Sequence, residues 1–518
     1  MNLTRNAAGR LVPTQLDGRT WRPFEDVLGI RPEGRTHGRP IATNRDYPRN
    51  GDKRTPTLAE ALRRAGLRDG MRVSTHHHFR DGDLTAEQLF EAADSLGVRD
   101  LTWFPSAVFP SHARLIPYLE RGVIRSIEGS LNGPLGDYAT HGKMRGPAVL
   151  RSHGGRYRAL QDGDVRVDVA LIAAPSADAF GNANGLSGPA ACGPLGFAAG
   201  DAQYADHVIV ATDHLVPFPC LPWHIQGNWV DQVVVLDRIG DPAKIVSGTT
   251  RVTRSPDRLR IAELAAKFVA ATGIMRPGFS FQAGAGGTSL AFAAYLADQM
   301  RAAGVTAGFV RGGGTEVLVG MLQEGLTPCI LDGQCFDLAA VRSMATDPRH
   351  VATSPFTSYN HHGRGNFASM VDVAVLGATE VDLEFNANVV THSDGRLQHG
   401  IGGWQDALFA GCSILAVPSF RNRLPVVRDR VTTLCAPGEM VDVVVTERGV
   451  AVNPRRTDLI ESATDAGFPL TTLADLQAEA EALCGKPDVP PLTDDVFGVV
   501  TWVDGTVIDA LRRPETSL

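Results

Sequence analysis

No apolar run in the 518-residue chain reaches the ~18 residues of a membrane span. The first residues also lack the apolar core of a secretory signal. Cysteine is sparse and unpatterned: seven residues, an odd number, with no Cys-x-x-Cys. That argues against a disulfide framework or a zinc knuckle and suits reduced thiols in a cytoplasmic protein. There is no excess of positive charge; the net charge is -7, so no broad electrostatic case exists for nucleic acid or an anionic membrane as partner. Neither a Gly-x-Ser-x-Gly elbow nor a Walker Gly-Lys-Ser/Thr motif occurs, which removes the usual signatures of a serine hydrolase and a P-loop NTPase. What is present is ordinary for a folded chain: 43% apolar and 21% charged residues. The length exceeds one core and implies two or three domains. The 55 glycines and 32 prolines imply many tight loops, as in sites built from backbone amides.

The strongest internal signal is a duplication. Val167-Asp168-Val169-Ala170, running on to Asp178 and Asn182-Ala183-Asn184, recurs ungapped 204 positions later as Val371-Asp372-Val373-Ala374, Asp382 and Asn386-Ala387-Asn388. Glu128-Gly129-Ser130 and Asp332-Gly333-Gln334 are again 204 apart, and Gly66 and Gly273 are 207 apart. The expected organisation is an extended, Arg-rich surface arm over 1–55, a first α/β domain over 56–250 and a second over 251–518. The second is taken to include a C-terminal hairpin over 495–510, reached through Pro487 to Pro491. Both domains begin alike. Thr57, with Glu60, and Ser255, with Pro256, start helices that end at Gly66 and Gly273. A glycine turn and a strand follow each helix. Runs such as Val208 to Val210, Val233 to Val235, Ile414 to Val417 and Val441 to Val445 are apolar on both faces, as in mostly parallel sheets covered by helices. Asp504-Gly505 predicts a primed two-residue turn in the final hairpin.

Several constellations could carry chemistry. Gly284, Gly286 and Gly287 lie between a strand and a helix, where backbone amides can hold a phosphate or a developing oxyanion. The spacing Gly-x-Gly-Gly does not fit a dinucleotide fingerprint, and a purely structural turn stays open. In His76-His77-His78-Phe79-Arg80, strand alternation puts His76 and His78 on one face and turns His77 away. Lining of a polar cleft is favoured over a metal pair, and no metal site is assigned. Arg80 suits a substrate carboxylate. Glu316, after Gly312-Gly313-Gly314-Thr315, is either a nucleophile toward a thioester or a dipole-favoured residue at a helix start. Asp382, Glu384, Asn386 and Asn388 alternate toward one face of an expected strand that leads to Gly402 and Gly403. Asn182 and Asn184 mark the matching strand end in the first half.

With these residues in hand, the chain resembles the alpha subunit of citrate lyase, the citrate CoA-transferase component. The resemblance rests on Gly66-Leu67-Arg68-Asp69-Gly70 with the His76 to Arg80 run, the Ala283 to Thr288 glycines and Leu331 to Asp337. It continues through Phe385 to Val389 with Ser393-Asp394-Gly395, and Val450 to Pro454. It implies two tandem CoA-transferase domains and the exchange of acetyl for citryl on a CoA thioester, or on the CoA-like prosthetic group of an acyl carrier, with release of acetate. No tightly bound cofactor is implied. The implied partners are a lyase (beta) subunit and an acyl carrier (gamma) subunit in a homo-oligomeric, cytoplasmic assembly handling citrate, acetate and acetyl-CoA. The family reading gives catalytic roles to Gly402 and Gly403, with Glu316 as a departure that would permit a covalent route. A free-standing CoA-transferase or acyl-CoA hydrolase on another small carboxylate is the alternative. A noncatalytic binding protein using the histidine run is a third reading, from a different class.

Overall fold

The computed structural model describes residues 2–27, 47–48, 50–246, 251–284, 286–486 and 491–515. The expected boundary at 247–250, the link at 487–490, much of the arm and Ala285 lie outside these residues. The fold is mixed α/β, with two large, mostly parallel sheets flanked by helices.

The first sheet takes β1 (Arg54–Thr55), β2 (Arg72–Ser74), β3 (Leu101–Trp103), β4 (Ile124–Gly129), β5 (Ala148–Leu150), β6 (Val169–Ala173), β7 (His207–Thr212) and β8 (Gln232–Val235). The second takes β9 (Ser280–Ala283), β10 (Phe309–Gly314), β11 (Ile330–Cys335), β12 (His350–Ala352), β13 (Val373–Leu376), β14 (Cys412–Ala416), β15 (Val443–Thr446) and β16 (Gly449–Val452). Their spatial orders match: β5-β4-β3-β2-β6-β7-β8 in one and β12-β11-β10-β9-β13-β14-β15 in the other. Registers match too, with Val169 opposite His207 and Val373 opposite Cys412. All five residues of β6 and all five of β14 are buried, which is why these strands read as unbroken apolar runs rather than alternating ones.

The helices that bear on the site are α1 (Leu58–Arg64), α2 (His153–Gln161), α3 (Pro256–Ala271), α4 (Gly287–Ala303), α5 (Glu316–Gln323) and α6 (Trp404–Ala407). The Thr57 hydroxyl caps α1 by accepting from the Glu60 N–H, and Gly66 follows at φ +71°. The other half of the expected capping box is absent, because the Glu60 carboxylate pairs with Arg63 and Arg64 instead. Ser255 sits at the N-cap of α3 with Pro256 in the first turn, but its side chain makes no capping hydrogen bond.

The C-terminal hairpin departs from the expected plan. Its strands, β17 (Leu492–Thr501) and β18 (Val507–Pro514), extend the first sheet, where Val499 lies opposite Val149. The exposed edge strand β5 is thereby covered by a segment that crosses back from the end of the chain. The turn is not a primed pair either. Gly505 N–H donates to Trp502 O and only Gly505 takes a positive φ, +85°, whereas a type I′ turn needs two such residues. The arm is not wholly superficial. Val12 and Trp21 are buried against Val149, Val499 and Val507, so the two chain ends share a small core.

Candidate active site between the two sheets

The C-terminal ends of strands from both sheets converge on a cavity of about 720 Å³. This is where open α/β sheets place ligands, because loops leave the sheet there without breaking its ladder. The first half contributes His77, after β2, and His153, at the start of α2. The second contributes Gly284, Gly286 and Gly287 at the entry to α4, Gly312 and Gly313 of β10, and Gly402 and Gly403 before α6. Charge is one-sided. Arg80, Arg251, Arg258 and Arg421 line the cavity with His77, His153, His392 and His399, and no Asp or Glu occurs among the described lining residues.

The cations are held at a cost that favours an anionic occupant. Arg80 sits at φ +52°, an uncommon conformation for a side chain with a Cβ, with its guanidinium over the rings of Phe109 at 4.6 Å and Phe336 at 5.1 Å. Burial lowers its pKa to about 10, against the opposing pull of Asp81. Burial, followed by the charge of Arg258, lowers Arg421 to about 10 as well. An anion entering the cavity relieves both penalties.

The histidine run faces the other way from the strand-based expectation. β2 ends at Ser74, so alternation does not carry through to residues 76–78. His77 is the cavity residue. Its ring stacks on His153 at 5.2 Å and 10°, and Phe197 lies 4.5 Å from both rings. His77 Nδ1 is 2.7 Å from Ser106 Oγ, which also accepts the His77 backbone N–H at 3.1 Å. Burial, then the neighbouring His153, pushes the His77 pKa well below its ordinary value, and burial brings His153 to about 4. Both rings are therefore neutral near pH 7. His76 and His78 stack on each other at 5.8 Å, away from the cavity lining, with His76 Nε2 3.0 Å from Asp201.

Glu316, open between a nucleophile and a helix-start acid, does not reach the cavity. It is the first residue of α5, is exposed, and is not among the cavity-lining residues; its N–H donates to Asp337 Oδ2 at 2.7 Å. This is the geometry of a helix-start acid favoured by the dipole.

The repeated Asp-to-Asn block proves to be a hairpin turn in each half, not a one-faced strand. Residues 176–177 pair with 183–184, and 380–381 with 387–388, each antiparallel. In the first copy Asp178 accepts the Phe180 and Asn182 N–H groups at 2.9 and 3.2 Å, and Asn182 Nδ2 at 2.9 Å. In the second, Asp382 accepts the Glu384 and Asn386 N–H groups at 3.1 and 3.0 Å, and Asn386 Nδ2 at 3.1 Å. Asn182 and Asn386 then accept the Gly227 and Gly438 N–H groups, each at 2.9 Å. Asn184 and Asn388 are buried and bonded to neighbouring loops, Glu384 is exposed, and none of these residues lines the cavity. Their polarity serves turn construction.

The Gly402–Gly403 turn does meet the cavity. Gly402 has φ +60°, and the Gly403 N–H has no acceptor among the described residues. A Cβ on Gly403 would lie 2.9 Å from the Tyr359 hydroxyl and 3.4 Å from His153 Cδ2. Glycine thus leaves room for a reacting atom beside a bare amide donor. His153, Tyr359 and Arg421 were missed in the sequence. The one usable signal was Arg151-Ser152-His153-Gly154-Gly155, polar residues and glycines directly after the apolar strand β5. A metal could be sought at Asp332, Cys335 and His350, whose ligand atoms lie within 4.8 Å of one another. Those atoms already bond internally, with His350 Nε2 at 3.2 Å and Cys335 Sγ at 3.3 Å from Asp332 Oδ2.

The architecture is that of the CoA-transferase-like proteins: a 4-hydroxybutyrate CoA-transferase from Porphyromonas gingivalis matches it with a TM-score of 0.52 at 16% identity, covering 83% of this chain and 97% of that one. A family model described as citrate lyase, alpha subunit, matches residues 52–513. The citrate lyase alpha chain of Klebsiella pneumoniae is 42% identical over 463 residues, covering 89% of this chain and 91% of that one. A crystal structure described as the alpha subunit of citrate lyase from Streptococcus mutans, in complex with citrate, matches with a TM-score of 0.91 and 38% identity, covering 99% of this chain and 100% of that one. The chain belongs to the citrate lyase alpha-subunit family, an enzyme subunit of CoA-transferase type. Among the described residues, no helix is long and apolar enough to cross a membrane.

Proposed function

We propose that this chain exchanges acetyl for citryl on a thioester, releasing acetate, and that it works in a multi-subunit citrate lyase beside a lyase subunit and an acyl carrier, in the cytoplasm. The observation that carries the chemistry is the cavity lining: four arginines and four histidines, bare glycine turns, and no Asp or Glu among the described lining residues. A tricarboxylate fits such a lining by charge. With no enzyme carboxylate at hand, the acceptor's own carboxylate attacks the thioester carbonyl. The resulting oxyanion sits on the Gly402–Gly403 amides, and collapse expels the thiolate and leaves a mixed anhydride. The thiolate then attacks the citryl carbonyl and acetate departs, so atoms and charge balance without a proton donor. Gly286 and Gly287 at the start of α4 suit the phosphates of the CoA or carrier arm, with Gly284, whose N–H donates to Val375 O at 2.9 Å, fixing the turn that leads to them.

The test is direct. The purified chain with acetyl-CoA and citrate should yield citryl-CoA and acetate; malonate or succinate in place of citrate should react at least about tenfold more slowly, since a lost carboxylate contact of this kind is worth about 1.5–3 kcal/mol. Hydrolysis of acetyl-CoA without exchange would contradict the reading.

A further inference from the structure

We propose that Asp406 is a positioning residue for the exchange: from the second half it grips the start of α2 in the first half and thereby fixes the Gly402–Gly403 turn. This rests on the reading of that turn as the oxyanion-binding element.

Asp406 is 0% exposed and does not line the cavity, so its charge does not face an anionic substrate. It follows Gly403 by three residues. Its Oδ1 accepts the Ser152 hydroxyl at 3.1 Å, and its Oδ2 accepts the Gly154 N–H at 3.0 Å. Ser152 is the N-cap of α2, so the carboxylate lies at the positive end of that helix. The first half answers in kind. The His153 N–H donates to Gly402 O at 2.8 Å, and Ser152 and Gly402 form a parallel bridge. The turn is therefore held at Gly402 by His153 and, four residues on, by Asp406, with both anchors ending on one short stretch, 152–154. His153 Nε2 lies 3.7 Å from where a Gly402 Cβ would be, so the same stretch also sets the imidazole against the turn. A His361 Nε2 at 3.5 Å completes the surroundings of Asp406.

The first half provides the contrast. Asp201 precedes β7 as Asp406 precedes β14, but it is held by Arg156 at 2.7 Å and by His76 at 3.0 Å, within its own half. Only the second-half carboxylate joins the halves at a glycine turn.

The experiment uses the full chain with acetyl-CoA and citrate. Supporting groups behind a reactive group typically matter 10- to 100-fold, so Asp406→Ala should lower kcat about 100-fold and Asp406→Asn, which keeps an acceptor oxygen, about 10-fold. The KM for citrate should stay within about threefold, because the turn acts on the oxyanion and not on the bound acid. Ser152→Ala, which removes one of the two contacts, should fall between Asp406→Asn and the wild type. Calorimetric citrate binding should persist in all three variants. Unchanged kcat in Asp406→Ala and Asp406→Asn would overturn the proposal. So would a rise in KM in step with the fall in kcat, or loss of citrate binding, since both describe loosened halves rather than a displaced turn. If Asp406→Ala does not fold, Asp406→Asn and Ser152→Ala decide by the same criteria. If the wild-type chain makes no citryl-CoA, the reading of the turn fails first and this proposal falls with it.

Discussion

The stretch 193–201 in the first half and the stretch 400–406 in the second occupy matching places, each leading into the strand beside β6 or β13. Each packs on the other half's helix start. A Cβ on Gly196 would meet Thr353 O at 2.0 Å, and Gly402 pairs with Ser152. Yet the first presents Phe197, whose ring fills the space beside His77 and His153, while the second presents bare glycines. Duplication built a near-symmetric frame with two candidate turns. One was filled with an aromatic ring and one left open. The lesson is that repeated sequence marks what holds the frame, and the site lies where the copies have parted.

The largest effect should come from closing the open turn. Gly402→Val forces a β-branched residue into φ +60° beside His153, and we expect kcat to fall by about 10²–10³, the scale of losing an oxyanion donor, with citrate binding retained. The mirror change, Gly196→Ala, should leave kcat near normal and lower stability by about 1–3 kcal/mol in denaturant titrations, because its Cβ meets backbone rather than cavity. If Gly196→Ala impairs catalysis and Gly402→Val does not, the two turns have been assigned to the wrong halves.

Charge at the cavity should give a smaller, separable effect. Arg421→Ala should raise the KM for citrate or acyl donor about tenfold, the loss of one charge-assisted contact, and should reduce the salt dependence of KM. Acid should act on stability through the buried rings. Burial holds His153 and His224 to about 4 and His78 to about 3, below the ordinary histidine value of 6.5. The unfolded chain therefore binds more protons than the folded one between these values and 6.5. Stability should be full above pH 6.5 and decline as the pH falls toward 4. A melting temperature that is flat from pH 7 to pH 4.5 would contradict that sign.

Much of the frame was legible in the residues. Asp178 with Asn182, and Asp382 with Asn386, recur because each aspartate organises the same turn through its own local bonds, and local chemistry survives in sequence. The glycines at 284, 286, 287, 402 and 403 were legible for the same reason: only glycine leaves the space beside a backbone amide free of a Cβ. The rest depends on distance along the chain. His153 meets Gly402, and Asp406 meets Gly154, across some 250 residues, and no periodicity encodes how two halves dock. The histidines misled because strand alternation was carried past Ser74, where the strand has already ended. Glu316 stayed ambiguous because an acid after glycines suits a nucleophile and a helix start equally, and burial alone separates them.

A substrate carboxylate attacks the thioester directly while the second half's glycine turn holds the oxyanion, with no acyl or thioester link to the enzyme. The most direct check is to incubate the chain with acetyl-CoA alone, add borohydride, and analyse the protein by mass spectrometry. Glu316 should stay unmodified, and Glu316→Gln should keep full activity. Reduction of Glu316, with loss of exchange in Glu316→Gln, would contradict it.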